Sequence, residues 1–192
     1  MPSGLGRVSV IAIDGPSGSG KSVLADAIAA DLRQAGIRTA VVSTDDFATW
    51  DEPVSWWPRL VAGVLAPLAG GRPGGYRRTE WTNGIPHPGA MIAVPVPEIL
   101  LLEGVSAGRR SIRARLSTLI WCEHPDPAER LERAVARDGE ACRGPLRAWQ
   151  RFEEGWFAVD NPRAAADVVV SGRRTRQRKS SDKWVSDCYF PW

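Results

Sequence analysis

The sequence predicts an α/β fold: a mostly parallel, five-stranded sheet with helices on both faces. Three observations predict it. Short apolar runs rich in β-branched residues recur along the chain, separated by stretches with helical apolar spacing. The first run enters a glycine-rich loop that opens directly into a helical pattern. Acidic residues follow the second and third runs, at the carboxyl ends of the expected parallel strands, where such sheets hold ligands.

Taken in order, Arg7–Ile13 carries VSVIAI, an uninterrupted apolar run suited to a strand buried on both faces. Asp14–Gly20 is the loop. Ser22–Leu32 sets Val23, Leu24, Ala27, Ile28 and Leu32 on one helical face, and Gly36 stops it. Thr39–Ser43 is the second strand. Trp50–Leu68 reads as a helix broken at Pro58, with an apolar stripe through Trp56, Trp57, Leu60, Val61, Val64 and Leu65. The Gly- and Pro-rich stretch 69–97 reads as an irregular excursion with one or two short strands. Ile99–Leu102, Leu119–Cys122 and Asp167–Val170 complete the strands. Helices are expected over Asp126–Asp138 and Pro145–Val159, with Gly139–Gly144 as a short gap. Trp149 and Trp156, seven residues apart, share a helix face and read as packing residues.

The loop Gly15-Pro16-Ser17-Gly18-Ser19-Gly20-Lys21-Ser22 matches GxxxxGK[ST] between a strand and a helix, the context this phosphate-binding motif requires. Glycines let backbone N–H groups converge on an anion without Cβ clashes. The helix that follows, entered through Val23, adds free N–H donors and the positive end of its dipole. Lys21 can reach the β- and γ-phosphates of a nucleoside triphosphate, and the Ser22 hydroxyl can take a Mg²⁺ position. The chain has three lysines, Lys21, Lys179 and Lys183, so position 21 alone keeps an ammonium in a body otherwise charged by arginine. Neither an NKxD guanine-reading motif nor a DxxG switch is present, which argues against a GTPase. After the second strand, Ser43-Thr44-Asp45-Asp46-Phe47 places a carboxylate where it can accept a proton from an acceptor hydroxyl. Asp45 suits that role or a capping one; Asp46 reads more as a cap or turn residue.

GPSGSGKS, then TDDF, then LLLEG at 100–104, then RLERAVARD before a short gap resembles the uridine kinase and phosphoribulokinase group of P-loop kinases, with pantothenate kinase a further relative. The resemblance spans about 7–171. It implies the P-loop NTPase fold and Mg²⁺- and ATP-dependent phosphorylation of a hydroxyl on a small metabolite, first of all a nucleoside. Alternatives are another hydroxylated acceptor (a sugar, a cofactor precursor or a nucleoside antibiotic) or a nucleotide-binding regulator that transfers nothing. By the same resemblance Asp45 is the general base, Ser22 and Glu103 hold the metal, and Arg133 and Arg137 reach the transferring phosphate from a lid over 138–145. Arg143 is a third nucleotide-side arginine. Phe47 and, within the excursion over 69–97, Tyr76 and Trp81 would contact the acceptor. The chain departs from the group's pattern at Ala48, where an aromatic is usual. Each of these residues also has a plainer role: Glu103 can bond to backbone, Arg133 sits at i, i+4 from Glu129, and loop aromatics often cover a small core.

Apolar residues make up 43% and charged residues 24%, which excludes a wholly disordered chain. The run 172–192 holds six basic and two acidic residues, leaving 19 basic against 20 acidic before it, so the basic character belongs to this tail. It has no aromatic interleaving and reads as a flexible, solvated run rather than a nucleic-acid surface. One kinase-like domain over 1–171 is expected, with a homo-oligomer compatible with it. No signal-peptide pattern or membrane-length apolar run is visible, and Cys122, Cys142 and Cys188 form no CxxC pair. A cytoplasmic protein is the expectation, without a disulfide framework.

Overall fold

The computed structural model describes residues 4–82 and 84–171. The basic run 172–192, with Cys188, lies outside the described residues. Five parallel strands form the sheet: β1 (Ser9–Asp14), β2 (Thr39–Ser43), β5 (Ile99–Glu103), β6 (Thr118–Glu123) and β7 (Val168–Ser171), in the order β2-β5-β1-β6-β7. The expected α/β sheet is present, and it is parallel throughout. Between β2 and β5 runs an antiparallel hairpin, β3 (Gly74–Thr82) with β4 (Ile85–Val94).

Alternation along the strands explains the two-faced core. Val10, Ala12, Val42, Leu100, Leu102 and Leu119 face the helical run over 57–69, with Leu60, Val64 and Leu68. Ile13, Val41, Ile120 and Cys122 face the opposite way, onto Leu24, Ala25 and Ile28 of α1 (Lys21–Gln34). Leu100, Leu102, Val10 and Ala12 are fully buried, as parallel strands covered on both faces require.

Three local differences from the sequence reading have simple causes. Pro58 begins the helix rather than breaking it: α2 (Trp57–Leu60) carries proline in its first turn, where a missing N–H costs nothing. A π turn, Val61–Leu65, joins it to α3 (Ala66–Ala69). The excursion at 69–97 is a long, regular hairpin with one register shift between Arg77 and Thr79. A short helix, α4 (Arg110–Arg113), follows β5 where none was expected.

The remaining helices lie over the sheet's carboxyl edge. In α5 (Pro127–Asp138), Asp126 caps the start by accepting from the Ala128 and Glu129 N–H groups at 2.8 and 3.3 Å. A single 3₁₀ turn, Glu140–Cys142, leads into α6 (Arg143–Asp160). Leu131, Ala134, Val135 and Leu146 close a small separate core between the two helices, with Trp50 and Cys142 against it. No helix among the described residues is long and apolar enough to cross a membrane.

Candidate active site

The glycine loop leaves the end of β1 and wraps the start of α1. Gly15 has φ +146° and lies so close to β6 that a Cβ there would overlap the Cys122 carbonyl oxygen. Lys21 is buried and its ammonium donates to the Pro16 carbonyl at 3.0 Å, folded back across its own loop. The Ser22 hydroxyl donates to Glu103 Oε2 at 3.3 Å, which joins the loop to the end of β5. Val23, by contrast, is exposed.

Asp14, under the loop, is fully buried and accepts from the N–H groups of Gly15, Ser106 and Gly108 at 2.7, 3.1 and 2.9 Å. Burial outweighs these bonds and the nearby Lys21 charge, and lifts its pKa from 3.8 to about 6. A folded pKa above the unfolded one means that the fold favours the protonated form. The contribution of this group to stability is greatest below about pH 4 and is lost as pH rises through about 6. Wild type measured against Asp14→Asn by urea denaturation should therefore lose relative stability between about pH 4 and 6 and be flat above.

Asp45 lies on the 3₁₀ turn Thr44–Asp46 after β2 with its side chain exposed. The cap is Ser43, whose hydroxyl oxygen accepts from the Asp45 N–H at 3.2 Å, so the Asp45 carboxylate is not used as a cap. Asp46 has a different partner from the expected cap: it accepts from the Tyr76 hydroxyl at 2.5 Å. Its pKa is raised by burial, opposed by that bond and by Arg78. Glu103 is raised too, first by burial and then by the neighbouring Asp45 charge, while Ser43, Lys21 and Ser22 oppose the shift.

A cleft of about 930 Å³ opens beside Asp45. Ser17 of the loop, Asp46 and Arg137 share its lining, and Trp50, Trp81 and Trp149 form one wall. The Trp50 ring lies 5.0 Å from Trp81 and 6.1 Å, edge-on, from Trp149. The family resemblance implies acceptor contacts from Phe47 and Tyr76. The structure buries both and stacks them 4.6 Å apart, behind Asp46 and outside the lining of this cleft. Packing decides this, because Phe47 also stacks on buried Trp56 and its ring is part of the main core.

The three arginines differ. Arg137 forms a two-bond pair with Asp138 at 2.6 and 2.7 Å, and its pKa is raised by that pair and by the charges of Asp45 and Glu103. Arg133 pairs with Glu129 at 2.8 Å, the helix-face arrangement its spacing suggested. Arg143 is held by Glu132 and Glu140 and lies outside the lining of the cleft.

Oxygen donors at Ser22 and Glu103, 3.3 Å apart, suit Mg²⁺, which prefers hard ligands and keeps places for phosphate oxygens and water. Among the described residues no cluster of three His, Cys, Asp or Glu side chains could hold a metal unaided.

Glu153 is the residue sequence reasoning missed. It is 1% exposed and accepts from the Ser17 N–H at 3.0 and 3.1 Å, from the Ser17 hydroxyl, and from the Trp149 indole N–H at 2.7 Å. Its only sequence signal is an acid four residues after Trp149, on the same buried face of α6.

No family model matches the chain, and no curated protein matches it. Solved structures do. A protein from Bacillus stearothermophilus described as a "Possible Uridine Kinase" is 20% identical, with a TM-score of 0.61 over 89% of this chain and 91% of that one. A candidate fructose transport system kinase from Silicibacter sp. TM1040 is 22% identical, with a TM-score of 0.54 over 88% and 90%. A D-glycerate 3-kinase from Cryptococcus neoformans is 13% identical, with a TM-score of 0.51 over 77% and 78%. The chain has the P-loop kinase fold.

Proposed function

We propose that the protein is a Mg²⁺- and ATP-dependent kinase that phosphorylates a hydroxyl of a small acceptor, with a nucleoside as the first candidate. One observation carries this reading: Asp45, Arg137 and the loop residue Ser17 line the same cleft, so a base, a cation and the phosphate loop converge on one volume. The fold's likeness to kinases of small hydroxylated compounds supports it.

Lys21 and the loop amides bind and orient the polyphosphate. Ser22 and Glu103 would hold Mg²⁺, which when bound would neutralise charge on the transferring group. Asp45 accepts the acceptor's proton as its oxygen attacks, and Arg137 lies close enough to the Asp45 and Glu103 carboxylates for their charges to act on it. The 138–145 segment acts as a lid, since Asp138, Ala141, Cys142 and Pro145 line the cleft. In that role Arg133 and Arg143 exchange their present carboxylate partners for phosphate. The tryptophan wall suits a ring-bearing acceptor, because large aromatic faces stack on flat rings.

A coupled ADP-release assay over nucleosides, sugars and glycerate tests the reading. Turnover is expected with nucleosides above the other acceptors. Turnover with a sugar or glycerate alone would keep the kinase and move the acceptor. Tight Mg·ATP binding with no turnover on any acceptor would overturn the kinase in favour of a nucleotide-binding regulator.

A further inference from the structure

We propose that Glu153 is a positioning residue that couples the phosphate loop to the tryptophan wall of the cleft, so that a nucleotide on the loop is registered at Trp149. The inference rests on the nucleotide site proposed above.

A carboxylate this deeply buried costs desolvation unless donors surround it. Glu153 has them, and they come from two sides. On one side are the N–H and hydroxyl of Ser17, inside the phosphate loop. On the other is the indole N–H of Trp149, one helical turn earlier on α6. Arg130 of α5 stands behind, 3.8 Å from Oε2 and with its own Nη1 donating to the Ser17 carbonyl at 3.5 Å. Trp149 meets Trp50 edge-on, and Trp50 meets Trp81 on the hairpin. Direct contacts thus run from the loop along the tryptophan wall of the cleft without a gap.

The chain of contacts responds to charge. The nearby cations are Arg130 and Lys21, and Lys21 is the group a polyphosphate would claim. A polyphosphate also adds negative charge beside the buried carboxylate. Both changes alter how strongly Glu153 holds its donors, and the bond to Trp149 changes with them. Linkage makes the effect reciprocal: whatever presses on Trp149 changes nucleotide affinity by the same factor. A role limited to stability would leave this response untouched.

The test uses the full chain with Mg·ADP as probe. Binding is followed by equilibrium dialysis, and the environment of Trp149 by the change in indole fluorescence at saturation. Trp149→Phe identifies the part of that change that Trp149 supplies. Glu153→Gln keeps the side chain's shape but puts an N–H₂ where an acceptor stood. It is expected to bind Mg·ADP within about threefold of wild type while the Trp149-dependent change falls at least about threefold. Should that variant fail to fold, Ser17→Ala, which removes only the hydroxyl contact, is expected to cut the change about twofold. A full Trp149-dependent change in a folded, ADP-binding Glu153→Gln, or a change that Trp149→Phe leaves intact, overturns the coupling alone. Absence of Mg·ADP binding to wild type overturns the nucleotide reading, and the coupling with it.

Discussion

Asp45→Asn is expected to lower turnover on the best acceptor by about a thousandfold while Mg·ATP affinity stays within a few-fold. The substitution keeps size and polarity and removes only the ability to take a proton. Asp45 suits a base because its carboxylate is exposed to the cleft and spared from capping by Ser43. A proton abstraction worth ~10²–10⁴-fold should vanish with it. The affinity arm separates roles: the phosphate contacts belong to Lys21 and the loop. One secondary effect is also expected. The Asp45 charge helps raise the Glu103 pKa, so the variant's Glu103 should ionise at lower pH, and Mg²⁺ dependence should extend to more acid conditions. Initial rates by ADP release, with ATP binding by calorimetry, check both arms. Turnover within tenfold of wild type would remove Asp45 from the base position.

Gly15→Ala is expected to destabilise the protein by about 3 kcal/mol or more, with insoluble expression as the extreme outcome. Two penalties combine there. The backbone is at φ +146°, and the added methyl would overlap the Cys122 carbonyl oxygen of β6, which is held in the parallel ladder and cannot withdraw. Gly36→Ala is the matched control. Its φ of +80° carries the conformational penalty, yet nothing lies within 4 Å of the new methyl. A cost of only about 1–2 kcal/mol is expected there. Urea denaturation of both variants measures the difference. Equal losses would show that strain alone, and not the approach of loop to strand, makes glycine necessary at position 15.

The loop, the strand segments and the acidic positions at the ends of β2 and β5 were legible because they are local, whereas the order β2-β5-β1-β6-β7 joins distant segments and was not. GxxxxGKS carries its own geometry, and uninterrupted apolar runs such as ILLL fit only strands covered on both faces. The helix expected over Asp126–Asp138 is likewise present, beginning at Pro127 with Asp126 as its cap. The hairpin over 74–94 was less legible. Its glycines and prolines suggest irregularity, while the pairing that overrides them joins residues up to 20 positions apart. Pro58 misled for the opposite reason, since its position within the helix, not its identity, sets its effect.

Chain order by itself determined the phosphate loop, the parallel core and the carboxylates that follow its strands, because these depend on spacing within a few residues. Tertiary structure alone decided which aromatics face the cleft. Phe47 and Tyr76 sank into the core and Trp50 and Trp149 came to the surface of the site, though nothing in their neighbours distinguishes them. It also brought Glu153 against Ser17, 136 positions away. Burial and long-range pairing are properties of the packed whole, and a linear pattern carries them only where both faces of an element are already spoken for.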